Sequence, residues 1–251
     1  MVEWYEAFSD YIQQMERFET LVAGLSTEIN GTTQISYRGR SLNRAPPWRR
    51  LSILDGLKDV AGIDIGQATL EDLPGIFRRH HPVGVDALPI PLTWGCAVVE
   101  LFEAIVEPRL WNPVFVMDRP VEISPLTKKH RNDPRLVERF EPLIAGMEVG
   151  NSYSELNNTV EQYDRLIAQQ VAREKAYDLD QDFLDAICHG MPPAVRYGAG
   201  RRSHRDDFER SRKHSRRNVF PVYWRVYERV CKRGVRYENL IRARRICAAK
   251  A

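Results

Sequence analysis

Between Arg139 and Asn157, apolar and acidic residues alternate on either side of the pair Ala145-Gly146. Alternation with a period of two marks a strand with two unlike faces, and a two-residue break containing glycine marks a hairpin. A turn at Ala145-Gly146 pairs Ile144 with Met147 and Leu143 with Glu148. Phe140, Pro142, Ile144, Met147 and Val149 then share one apolar face. Glu141 and Glu148 fall on the other as diagonal neighbours, about 7–8 Å apart at the backbone. The segment therefore commits the chain to an antiparallel sheet with one face on a core.

Glu155 lies seven positions past Glu148, which on an unbroken strand turns it toward the core. A one-residue bulge at Gly150-Asn151, an assumption of this reading, brings Asn151, Tyr153 and Glu155 onto the face of the other two glutamates. That set of three carboxylates, an amide and a phenol contains no lysine or arginine, and like charges so placed repel unless a cation neutralises them. A magnesium ion suits the Glu141–Glu148 pair, because hard cations take oxygen ligands. An ammonium group suits Glu155. The plainer alternative is that the glutamates decorate the wet face of an ordinary sheet, and spacing alone favours it.

The rest of the chain is mainly helical. Trp4, Phe8, Ile12, Met15 and Phe18 recur every three or four residues, as in an amphipathic helix. Thr32 to Tyr37 reads as a short strand or hairpin arm, and Leu51 to Val60 and Leu70 to Arg79 as helices, with Thr69 and Asp72 at the spacing of a cap and its acidic partner. Ala97 to Ile105 carries a helical stripe ended by Pro108, after a proline-punctuated loop from Pro82 to Pro91. Pro113 to Ile123 is β-branched and reads as a strand interrupted by Pro120. Thr159 to Tyr177, capped by Asn158, and Asp182 to His189 complete the helices. The fold class is α+β.

Charge divides the chain of 251 residues in two. Residues 201–251 hold 17 Lys and Arg against 5 Asp and Glu, a net of +12, whereas residues 1–200 hold 20 against 29, a net of −9. No run of eighteen apolar residues exists, which excludes a membrane-spanning helix, and no signal-peptide pattern opens the chain. The four cysteines, Cys96, Cys188, Cys231 and Cys247, lack metal-ligand spacing and read as reduced cytosolic thiols, placing the protein in the cytoplasm. His80, His81, His130 and His189 fall in loops or at helix ends and read as surface residues.

The blocks Arg139-Phe140-Glu141, Met147-Glu148-Val149-Gly150-Asn151 and Tyr153-Ser154-Glu155-Leu156-Asn157 resemble the catalytic domain of class II lysyl-tRNA synthetases. Pro120-Val121-Glu122-Ile123-Ser124-Pro125-Leu126 and His189-Gly190-Met191-Pro192-Pro193 carry the same resemblance, and Met1 to Tyr5 looks like the second strand of the family's motif 2. The resemblance runs from residue 1 to about Gly200. It implies part of a class II antiparallel sheet flanked by helices, and an activity that joins lysine to ATP and then to tRNA. It further implies that Glu141 and Glu148 hold magnesium on the ATP phosphates and that Glu155, helped by Glu3 and Tyr5, pairs with the ε-ammonium of lysine. Asn151 and Tyr153 would line the amino-acid pocket. No side chain is assigned a nucleophilic role, since in-line attack of a carboxylate on the α-phosphate needs positioning and charge neutralisation.

The same comparison marks departures. The family's anticodon-binding domain, motif 1 and motif 2 loop are not expected ahead of Met1, which puts the family's homodimer in question. Arg196 stands where the family usually has a glycine. After Gly200 the apolar helix of motif 3 is replaced by Arg201-Arg202-Ser203-His204-Arg205. Codons compatible with Arg201 to Pro221, read one base later, encode a run opening Val-Asp-Arg-Ile-Val-Met that matches motif 3. The expectation is a one-base insertion near codon 201, with 201–251 a basic tail translated out of frame. Its Tyr223-Trp224-Arg225 and Arg236-Tyr237 clusters and its basic stretch Asn239 to Lys250 suit RNA phosphates and bases as an alternative. As it stands the chain is expected to form little or no lysyl-adenylate, or to act as a truncated paralogue that binds lysine or RNA.

Overall fold

The computed structural model describes residues 2–172 and 179–199. The basic tail, its RNA-binding alternative and the out-of-frame reading lie outside those residues, as do Cys231, Cys247 and the expected helix end at Tyr177.

A seven-stranded sheet organises the described chain. Its strands are β1 (Val2–Ala7), β4 (Arg49–Ser52), β5 (Val114–Met117), β6 (Arg139–Ile144), β7 (Met147–Glu148), β8 (Asn151–Ser154) and β9 (Ala194–Ala199). They run in the order β1-β9-β8-β6-β5-β4, with β7 folding back on β6. Every pairing is antiparallel except β4 with β5, which is parallel. A separate hairpin, β2 (Gln34–Tyr37) and β3 (Arg40–Asn43), stands apart. The α+β expectation holds, with one parallel pair added to the antiparallel sheet.

Alternation along the strands gives each face its own core. Phe115, Phe140, Ile144, Val149 and Tyr197 point to one side and pack under α1 (Tyr11–Asn30) through Tyr11, Met15, Phe18 and Val22. Tyr197 is fully buried there, with its ring stacked on Trp4 at 4.2 Å and on Phe18 at 4.7 Å between centroids. Val114, Val116 and Leu143 point to the other side, under α2 (Ile53–Ala61), α3 (Leu73–His80) and α4 (Trp94–Leu101). Each fully buried aromatic or aliphatic side chain in these layers contributes about 1.5–3 kcal/mol.

Several local expectations shift at their ends. Trp4 and Phe8 are not helical: Trp4 lies in β1, and Phe8 is exposed in the left-handed region at φ 59°. Asp10 starts α1 by accepting hydrogen bonds from the Ile12 and Gln13 amides, so the i, i+4 spacing of Trp4 and Phe8 precedes the helix. The alternative reading of Met1 to Tyr5 as a strand fits β1. Leu51 and Ser52 belong to β4, and Ser52 caps α2 by accepting from the Asp55 amide. Thr69 donates through its amide and hydroxyl to Asp72, both at 2.8 Å, and α3 begins only after that turn. The Ala97 stripe continues from α4 through a π turn at Phe102–Val106 and one 3-10 turn that holds Pro108. Past Met117 the Pro113–Ile123 strand ends, because Asp118 turns to φ 61° and Pro120 has no amide proton to donate. Asn158 accepts from the Glu161 amide at the start of α5 (Thr159–Ala172), and α6 spans Gln181–Cys188. His81 is buried, contrary to its surface assignment, since at the end of α3 its ring stacks on that of Phe77 one turn earlier.

Candidate cation-binding face of the sheet

The β6–β7 turn forms at Ala145 and Gly146, with φ 54° and 70°, the paired positive values of a tight hairpin turn. Ile144 pairs with Met147 and Leu143 with Glu148. Farther along, Phe140 pairs with Ser152 and Arg139 with Tyr153, so Val149, Gly150 and Asn151 oppose only Glu141 and Pro142. The strand therefore carries one extra residue, the bulge placed at Gly150-Asn151. A side chain has no room there: a Cβ on Gly150 would lie 2.1 Å from the Tyr197 hydroxyl.

Past the bulge the register extends across three more strands. Tyr5 pairs with Arg196 and Arg196 with Tyr153, while Gly198 pairs with both Glu3 and Asn151. The Glu155 amide donates to the Ala194 carbonyl at 2.8 Å. Ser152 and Ser154, between the site residues, turn to the opposite side and are buried. Glu3, Tyr5, Glu141, Glu148, Asn151, Tyr153 and Glu155 thus share one face of the sheet.

That face holds arginines the sequence reading left out. Arg139 sits two positions before Glu141 on the same strand, so alternation alone puts it on this face. It donates to Glu141 at 2.5 Å, to Asn151 Oδ1 at 3.1 Å and to Ser124 Oγ at 2.9 Å. Arg119, buried and placed just after β5, donates to the other Glu141 oxygen and also faces Glu103 at 3.6 Å. Arg196 donates to Glu3 at 2.6 Å and to the Tyr153 hydroxyl at 3.1 Å. The expectation of a carboxylate set without a basic residue is overturned: Arg119 and Arg139 hold Glu141, and Arg196 acts on Glu155. The wet-face alternative fails as well for Glu141, only 6% exposed beneath these guanidinium groups.

The remaining two carboxylates are the unsettled ones. Burial, joined by repulsion from Glu141, pushes the Glu148 carboxyl up to about 7. Among the described residues Glu148 forms no salt bridge. Burial also pushes Glu155 up to about 7, partly countered by Arg196. The Tyr153 phenol is raised by burial and then by Glu155. A cation brought to this face would draw both carboxyls back toward their ordinary range. Among the described residues no cluster of three or more His, Cys, Asp or Glu side chains is arranged to hold a metal unaided.

Comparison with known proteins places the chain in a family. The family model described as tRNA synthetases class II (D, K and N) matches residues 1–201. A lysine–tRNA ligase of Pelotomaculum thermopropionicum is 40% identical over 205 residues, covering 80% of this chain and 40% of that protein. The lysine–tRNA ligase of Thermosynechococcus vestitus is 44% identical over 204 residues, covering 79% and 40%. That of Clostridium acetobutylicum is 41% identical over 204 residues, covering 80% and 40%. The chain thus spans about 40% of the length of the curated relatives it matches. No helix among the described residues is long and apolar enough to cross a membrane. With its matched residues spanning the whole described sheet, the chain belongs to the class II tRNA synthetases of the D, K and N group.

Proposed function

We propose that the described residues form the lysine- and ATP-phosphate-facing sheet of a lysine–tRNA ligase catalytic domain. The observation that carries this reading is the grouping of Glu3, Tyr5, Tyr153 and Glu155 around one cation position, two strands away from the paired carboxylates Glu141 and Glu148. Glu155 would accept the ε-ammonium of lysine, with Glu3 and Tyr5 at its side and Asn151 and Tyr153 lining the pocket. Glu141 and Glu148 offer the hard oxygen donors that a magnesium ion takes, and among the described residues Glu148 forms no salt bridge that the ion would have to displace. Magnesium would supply charge neutralisation on the ATP phosphates. The protein's own part is positional: Arg119 and Arg139 fix Glu141, and the bulge fixes Asn151 to Glu155 relative to it.

The complete enzyme would take lysine, ATP and its tRNA as substrates in the cytoplasm, and this chain would form little or no adenylate. Loss of the reading frame near codon 201 fits a family match that ends at residue 201. Resequencing the source DNA across that codon tests it: the extra base vanishes or it stays.

The pocket reading is tested by titrating lysine, and norleucine of nearly the same shape without the ammonium, into the full chain and its Arg196→Gly variant. Preference for lysine in either chain supports the reading. Lack of preference in both overturns it.

A further inference from the structure

Three site-face residues of β9 form the floor between the two walls of the pocket: Ala194, Arg196 and Gly198. Two of them are small. Their neighbours on β1 are Ala7, Tyr5 and Glu3, and on the other side stand Tyr153 and Asn151 of β8, followed by Glu155. A cation entering this groove would meet Glu3, Tyr5, Tyr153 and Glu155. In this chain it meets a cation already there. Arg196 donates to Glu3 and to the Tyr153 hydroxyl, lies over the Tyr5 ring at 5.8 Å, and bears electrostatically on Glu155.

We propose that Arg196 is a built-in occupant of the cation subsite, its guanidinium standing where the ε-ammonium of lysine would be held, so that it competes with free lysine. This rests on the pocket reading above and adds to it the residue that closes the pocket. A planar guanidinium with five donors satisfies a carboxylate and a phenol together, which a single ammonium can do only after displacing it. The ion pair with Glu3 is about one third exposed on both sides, at 31% and 32%, so it contributes little to stability. Its consequence falls on binding: lysine must first break the arginine's contacts, which lowers apparent affinity by the fraction of time the pocket stands open.

Calorimetric titration of lysine into the full chain, Arg196→Gly and Arg196→Ala tests this, the alanine variant covering the case in which glycine weakens the strand. Both variants are expected to bind lysine at least tenfold more tightly than the unaltered chain. Adding Glu155→Gln to either is expected to remove the gain. Equal lysine affinity in all three chains, with lysine still preferred over norleucine, overturns the role of Arg196 and leaves the pocket reading standing. No preference for lysine in any of them overturns both.

Discussion

Replacing Gly150 by alanine tests the bulge that assembles the site. The added Cβ would lie 2.1 Å from the Tyr197 hydroxyl, 2.7 Å from its Cζ and 3.0 Å from the Gly198 carbonyl. Tyr197 has little freedom to yield, being fully buried and stacked on both Trp4 and Phe18. Overpacking at such a position costs about 1–3 kcal/mol. Loss of glycine's freedom in the unfolded chain returns about 0.4–1 kcal/mol. Two contacts this short against an immobile ring put the overpacking cost at about 2–3 kcal/mol, so the net expectation is about 1–2.6 kcal/mol of destabilisation, or a melting temperature lower by roughly 2–10 °C for a domain of this size. Urea unfolding of the full chain, followed by tryptophan fluorescence, measures it. In a Tyr197→Phe background the nearest clash is gone while the Cζ contact stays, so the cost of Gly150→Ala is expected to fall by at least about 0.5 kcal/mol. A cost below that figure with tyrosine in place, or an undiminished cost in the phenylalanine background, would refute the packing argument.

Raised Glu148 and Glu155 carboxyls make the folded chain bind more protons than the unfolded one between about 4.5 and 7. Stability from these groups is therefore full below that window and falls as pH rises through it. Thermal melts from pH 4.5 to 8 should show the decline in the unaltered chain and a smaller one in Glu148→Gln/Glu155→Gln, and identical profiles would contradict the assignment. Arg119→Ala leaves Glu141 buried with Arg139 as its remaining partner, so the loss is expected at the lower end of the about 3–5 kcal/mol typical of broken buried pairs. A loss below about 1 kcal/mol in urea unfolding would show the pair to be dispensable. Glu148→Gln is expected to weaken magnesium-dependent ATP binding by at least tenfold in calorimetry, and unchanged binding would remove Glu148 from the magnesium reading.

What the sequence disclosed was local. A period of two and one Ala-Gly pair were enough to give the turn and its register, because both are decided by residues in contact along the hairpin, whereas the bulge at Gly150-Asn151 was assumed and the pairing of Phe140 with Ser152 bears it out. The partners of that hairpin were less legible. Arg139 was readable by the same alternation that placed Glu141. Arg119 and Arg196 were not, since they reach their partners on the hairpin, Glu141 and Tyr153, across more than twenty and forty residues of chain respectively. Apolar spacing at Trp4 and Phe8 imitated a helix because β1 turns straight into α1 at Asp10. Burial of Glu141 was equally hidden, since Arg119, one of the two guanidinium groups that hold it, comes from outside the hairpin.

The carboxyl of Glu155 reports most directly on whether this face receives an ammonium group. Carbon-13 NMR titration of that carboxyl in the Arg196→Gly chain, with and without saturating lysine, isolates the contact. The account expects lysine to draw its ionisation back toward the ordinary carboxylate range and norleucine to leave it raised. An ionisation that lysine does not move would contradict the assignment of Glu155 to the substrate cation.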